Sequence, residues 1–168
     1  MPIDIVAEPF SAAKLAGMAD LNCGNNEHGR IATNWILGTN PDDSVLCDLK
    51  AHPDLQVFLY YEVGTDRLVG FGSLGLTTRS GLEFSIIPHM GIDVQFHGVP
   101  AGAPWSDRPS ALVMSDLIAR AGKLPPAELS LFVHKDNLPA RTLYKRLGFE
   151  PVGNINKADH QRMVLRLR

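Results

Sequence analysis

Between Leu131 and Phe149 the chain reads Leu-Phe-Val-His-Lys-Asp-Asn-Leu-Pro-Ala-Arg-Thr-Leu-Tyr-Lys-Arg-Leu-Gly-Phe. An apolar alternation runs into Asn137, a residue type that caps helices. Ala140, Leu143, Tyr144 and Leu147 then fall on one helical face, and Gly148 supplies the stop. A stripe of this kind ordinarily packs a core, with the tyrosine tip hydrogen-bonded at its edge. A second pattern, Gly70-Phe-Gly72-Ser-Leu-Gly75, has the spacing of a dinucleotide-binding turn. That turn must open a helix, whereas Leu76 to Gly81 reads as strand and turn, so these glycines are expected to relieve crowding on a strand or to bulge it. The six histidines have no ligand spacing, and neither Cys23 nor Cys47 has a nearby partner. No metal site is expected.

The elements that must position these residues alternate between the two periods. Ile3 to Ala7 predicts a first strand. A helix through Leu15, Met18, Ala19 and Leu21 follows, with Ser11 as its N-cap, then helices over Arg30 to Leu37 and Asp43 to Lys50. Gln56 to Val63 and Leu68 to Leu76, rich in Val, Phe and Tyr, predict a hairpin turned at Gly64 to Arg67. Leu82 to Phe96 predicts one long extended segment, and Gly98 to Pro109 must be loop. Ala111 to Ala121 predicts a helix capped by Ser106 or Asp107, and Glu128 to His134 a strand. The helix from Asn137 to Leu147 follows, then strands at Pro151 to Ile155 and Arg162 to Leu167. The expected fold class is α/β (α+β), a mixed but mostly antiparallel sheet flanked by helices, with residues 1–168 forming a single domain.

The block from Leu131 to Phe149 resembles the C-terminal motif of the GNAT superfamily of N-acetyltransferases, where a strand, an Asn, a small residue, a Tyr and Gly-Phe recur in this order. The resemblance implies acetyl-CoA as acyl donor. It implies that Asn137 lies beside coenzyme A, that Ala140 lets the helix approach closely, and that Tyr144 faces the thiol. Met90 to Gly102 is similar to the family's strand-to-loop junction, in which Arg/Gln-x-x-Gly-x-Gly/Ala binds the pyrophosphate. Glycines permit close backbone approach, and amides at a helix N-terminus suit a phosphate. His97 stands where Arg or Gln is usual, Pro100 replaces the central glycine, and Gly98 and Gly102 are retained. Ala103 to Ser110 reads as an insertion, so His97, Gly98, Val99, Gly102 and Arg108 are expected to hold the phosphates in a longer loop. The reaction implied is direct attack by a primary amine, with the oxyanion held by backbone amides from Ile92, Asp93 and Val94. Tyr144 would be the acid that protonates the thiolate. The strand position that some relatives fill with Glu is Phe132 here, which leaves Glu83, His89 and Asp93 as titratable candidates for the base, Glu83 and His89 ahead.

Composition bounds the rest. The 168 residues carry sixteen basic and eighteen acidic side chains, a net charge of −2, with 45% hydrophobic residues. Such a balance is that of a globular domain and is too acidic for a generic nucleic-acid binder. No apolar run reaches the ~18 residues of a membrane span, and the N-terminus lacks a secretory pattern, so a cytoplasmic protein with reduced thiols is expected. The acceptor expected is a small-molecule or peptide amine. Asp20 to Glu27 with Asn34-Trp35-Ile36-Leu37 is similar to the opening of toxin-type acetyltransferases acting on aminoacyl-tRNA, which is one alternative. A catalytically silent coenzyme A-binding sensor is the other. The resemblance leaves the oligomeric state open between monomer and homodimer, and the last two strands read as edges able to pair across a two-fold.

Overall fold

Alternating and β-branched segments form strands where the sequence leads one to look, and their long-range pairing sets the architecture. The computed structural model describes residues 3–14, 21–23, 54–97 and 104–167. Its strands are β1 (Ile5–Pro9), β2 (Gln56–Glu62), β3 (Leu68–Arg79), β4 (Leu82–Ile87), β5 (Met90–Ile92), β6 (Glu128–His134), β7 (Glu150–Val152) and β8 (His160–Arg166). They make one sheet in the order β1-β2-β3-β4-β6-β8-β7, with β5 beside β3. Every pair is antiparallel except β4 with β6. That parallel pair needs a crossover, which the helix α1 (Pro109–Ala121) supplies. The second helix, α2 (Leu138–Arg146), joins β6 to β7.

The sheet has two unlike faces because side chains alternate along each strand. Phe58, Tyr60 and Leu74 join Leu129, Leu131 and Val133 in the main core, with Val113, Met114 and Leu117 of α1 and Leu143 and Tyr144 of α2. Contact between α1 and β3 is close enough that a Cβ on Gly72 would lie 2.7 Å from Leu117. The helix is also pinned by polar groups. The Tyr60 hydroxyl donates to Asp116 Oδ2 at 2.8 Å, Arg120 Nε donates to the same oxygen at 2.7 Å, and the Arg120 guanidinium lies 4.0 Å from the Phe58 ring centre. Burial and the Asp116 carboxylate push the Tyr60 phenol well above its ordinary pKa, so it stays a donor. On the other face Val57, Leu59 and Phe71 pack with Leu21, Phe10 and Cys23.

Several expectations shift. The first strand lies two residues later than predicted and ends at Pro9 on the sheet edge, where the missing N–H costs nothing. Ala12–Lys14 is a short 3-10 turn in which Lys14 N–H bonds the backbone oxygen of Ser11, and Leu21 to Cys23 is irregular, so the predicted helix does not reach Leu21. The helices expected at Arg30 to Leu37 and Asp43 to Lys50 lie outside the described residues. The hairpin of β2 and β3 is present, its register shifted between Tyr60 and Tyr61. The long segment from Leu82 to Phe96 is broken at Pro88 and His89 into β4 and β5, and Val94–Phe96 turns into a 3-10 helix. A proline cannot donate to a ladder, so the strand changes course there. Neither Ser106 nor Asp107 caps α1: they belong to a 3-10 turn, Trp105–Asp107, and Arg108 is the N-cap residue with no side-chain bond. The last strands begin earlier than predicted. β8 is flanked by β6 and β7, so only β7 offers an edge at that end of the sheet, which corrects the expectation that both last strands are free to pair.

Candidate active site

Parallel pairing between β4 and β6 covers only Ser85 to Ile87 against Leu129 to Leu131. Beyond it the two paths part. β5 stays with β3, pairing Gly70 with Ile92 and Gly72 with Met90, while Phe132 to His134 stay with β8. The sheet therefore splays between β5 and the C-terminal half of β6, starting at Pro88. On the β5 side the backbone is sorted by the ladder. Ser73 N–H donates to His89 O and Asp93 N–H to Val69 O, so odd-numbered residues bond β3. Alternation then turns the N–H and C=O of Met90 and Ile92 toward the splay. Consistent with this, His97 Nε2 donates to Ile92 O at 2.8 Å.

Of the three backbone amides expected to hold an oxyanion, Ile92 alone faces the opening. The Asp93 amide is spent on Val69, and Val94 N–H donates to Asn22 O at 2.7 Å. The Asp93 carboxylate is likewise occupied: Oδ2 accepts Asn22 N–H and Oδ1 accepts Gln95 N–H, both at 2.9 Å. It clasps the chain after β5 to the N-terminal segment, a structural duty that takes it away from the base role. Beside it, the Cys23 thiol is pushed up to about 12 by burial and by the Asp93 charge, so it stays protonated and unreactive at neutral pH.

α2 is built as the sequence indicates. Asn137 Oδ1 accepts Ala140 N–H at 3.2 Å, so the carboxamide oxygen caps the helix and its NH2 is left for a ligand. Gly148, at φ 91°, closes the other end. Tyr144 sits on the buried face of α2 with its ring centre 5.9 Å from that of Phe149. Its hydroxyl has no hydrogen-bond partner among the described residues. Burial pushes this phenol up to about 12, so it carries its proton at neutral pH and is present as a donor.

The α1 end offers less than a standard helix N-terminus. Pro109 has no N–H, and the Ala111 and Leu112 amides both bond Arg108 O, leaving the Ser110 amide. Arg108 is exposed and makes no ion pair among the described residues, so its charge is available to an anion. The insertion is tied down by Trp105, whose ring lies 5.8 Å from the Arg146 guanidinium of α2. Gly98, Val99 and Gly102 lie outside the described residues.

Across the sheet from the helices is a cavity of about 660 Å³, lined by Thr77, Phe84, Phe132, Asn154, His160 and Arg162 among others. Phe132, which occupies the position of the absent Glu, is 47% exposed and forms part of its wall. Arg162 stacks 4.9 Å from the Phe84 ring centre and donates through Nη2 to Glu128 at 2.6 Å. Glu83 does not reach this cavity. Its cross-strand partner Thr78 lines the cavity, but Glu83 itself is exposed near the turn and is not among the lining residues. His89 is buried at the start of the splay, where its backbone N–H and C=O both bond Ser73. His160 was not among the sequence candidates. It carries no local signature, because pairing of β6 with β8 is what brings it opposite His134 and into the cavity wall.

Among the described residues no group of His, Cys, Asp and Glu could hold a metal, and no helix is long and apolar enough to cross a membrane. No protein-family model and no curated protein matches the chain. Solved structures do. A probable acetyltransferase from Staphylococcus epidermidis superposes with a TM-score of 0.72 at 14% identity, over 97% of this chain and 99% of that one. An acetyltransferase of the GNAT family from Streptococcus pneumoniae gives 0.67 at 17% identity, over 98% and 100%. Naa50 of Arabidopsis thaliana, in complex with the bisubstrate analogue CoA-Ac-MVNAL, gives 0.61 at 18% identity, over 97% and 99%.

Proposed function

We propose that this chain, which has the fold of the GNAT N-acetyltransferases, moves an acetyl group from acetyl-CoA to a primary amine of a small molecule or peptide. The observation that carries the reading is the splay between β5 and β6, with the Ile92 amide turned into it, the Tyr144 phenol on the helix-covered face and an open cavity on the other. The residues fit a coenzyme A thioester. An extended pantetheine arm needs backbone partners, which the open edge of β5 offers at Met90. The Asn137 NH2 and the small Ala140 leave room at the start of α2. The uncompensated Arg108 and the Ser110 amide supply positive potential for phosphates.

In this arrangement the amine enters from the cavity face and attacks the thioester carbonyl carbon. The Ile92 N–H holds the developing oxyanion. The nitrogen gives up one proton to a base on the cavity side, the C–S bond breaks, and Tyr144 donates a proton to the thiolate and is reprotonated from solvent. Burial keeps the Tyr144 phenol protonated at neutral pH, so it is in the state needed to donate as negative charge builds on the sulfur.

Incubation with acetyl-CoA and a panel of primary amines, amino acids and short peptides, read by release of free thiol and by mass spectrometry of the amines, tests this directly. Amine-dependent thiol release with a product heavier by one acetyl group is expected. Binding of acetyl-CoA with no product across the panel would instead favour the silent sensor.

A further inference from the structure

We propose that His160 is the base that takes the proton from the attacking amine, a role that rests on the acetyl-transfer reading above. Of the described side chains lining the cavity, two titrate, and Arg162 cannot give up its charge at any physiological pH. His160 is thus the described lining residue whose side chain carries a basic nitrogen with a lone pair to offer a proton. No described residue hydrogen-bonds its ring nitrogens. Of the sequence candidates, Glu83 is exposed near the hairpin turn, Asp93 has both oxygens engaged, and His89 is buried at the start of the splay; none of the three lines the cavity.

The protein fixes His160 more firmly than a surface loop would require. Asn156 Oδ1 accepts from both the Ala158 and His160 amides at 2.9 Å, and Asn156 N–H returns to His160 O at 2.9 Å. Asp159, held at φ 60°, links this turn to the turn before α2, accepting from Lys135 N–H at 2.8 Å and from Lys135 Nζ at 3.0 Å. Arg141 of α2 donates to Lys135 O at 2.7 Å, which joins the same frame to the helix bearing Tyr144. The charged groups around the imidazole are accounted for. Asp159 precedes it in the chain and is paired with Lys135. Across the ladder, His134 meets it edge-on with ring centres 5.4 Å apart, and Asp136 lies 3.8 Å from His134 Nδ1. Arg162 is on the same strand. His160 and Tyr144 lie on opposite faces of the sheet, which suits a reaction whose nucleophile arrives from one side and whose thiolate leaves toward the other.

Bromoacetyl-CoA tests the assignment without knowledge of the acceptor. Bound as the substrate is, it presents its CH2–Br carbon to whatever base faces the acyl group. An imidazole nitrogen displaces bromide, forming an N–C bond and releasing one proton. Peptide mapping by mass spectrometry is expected to find the adduct on His160. The label should disappear in His160→Gln while calorimetric binding of acetyl-CoA persists. With an acceptor found, His160→Gln should lose about 100-fold in kcat at neutral pH and recover as the pH rises and the amine loses its own proton. Binding with the adduct elsewhere, or an unchanged pH profile, would overturn the role of His160 alone. Failure to bind either thioester would overturn acetyl transfer itself, and His160 with it.

Discussion

Tyr144→Phe is expected to bind acetyl-CoA as the parent protein does and to transfer acetyl roughly 100-fold more slowly, the scale of a lost general acid. The substitution separates catalysis from packing cleanly. The Tyr144 ring belongs to the main core, and phenylalanine keeps it there against Phe149. The hydroxyl has no described hydrogen-bond partner, so its removal leaves no buried group unsatisfied, and stability should change by less than about 0.5 kcal/mol. The assay is steady-state thiol release alongside calorimetry and thermal melting. An unchanged rate would remove Tyr144 from the acid role and leave it as core.

Gly70→Ala should have the largest effect on the scaffold. A Cβ there would stand 2.3 Å from Gly91 O, 2.9 Å from Ile92 Cδ1 and 3.1 Å from Ile92 Cα. The first and last of these are backbone atoms, which cannot rotate aside, so relief requires moving β5 off β3. We expect a loss of about 3 kcal/mol, at the upper end for overpacking. Melting should then fall by about 6–12 °C, with loss of acetyl-CoA binding, because β5 forms one wall of the splay. Gly122→Ala is the matched control: φ is −62°, and the added carbon would make ordinary contacts at 3.6 Å, so melting should stay level or rise slightly. Equal melting of the two variants would show that β5 is free to shift and that the splay is not fixed as described.

Local signals carried much of the fold. The asparagine before α2, its apolar stripe and Gly148 marked that helix within one residue of its ends, and the two aromatic-rich runs marked the β2–β3 hairpin. The strand glycines at Gly70 and Gly72 were legible as crowding, and the atoms they accommodate are those of Gly91, Ile92 and Leu117. The break between β4 and β5 was marked by Pro88 inside an apparent strand, a signal that was available and outweighed by the length of the apolar run. What sequence could not supply was register. The pairing of Glu83 with Thr78 decides which face the glutamate occupies, and the Asn22 contacts decide that Asp93 and Val94 are spent on structure. His160 enters the cavity wall because β8 lies antiparallel to β6, a relation between segments 26 residues apart at that point. The capping of α1 failed for a related reason: Pro109 at the first helical position fixes an extended Arg108 before it, and Ser106 and Asp107 are drawn into their own turn.

The most direct test of the account is calorimetric titration of the folded protein with acetyl-CoA, with NADH as control. One acetyl-CoA per chain, binding at micromolar concentration, with no response to NADH, is the expected result. It would assign the splay, together with its Arg108-bearing insertion, to a coenzyme A thioester. Absence of acetyl-CoA binding in a sample that melts cooperatively would contradict the central claim, because a splay that holds no thioester has no acyl group to transfer.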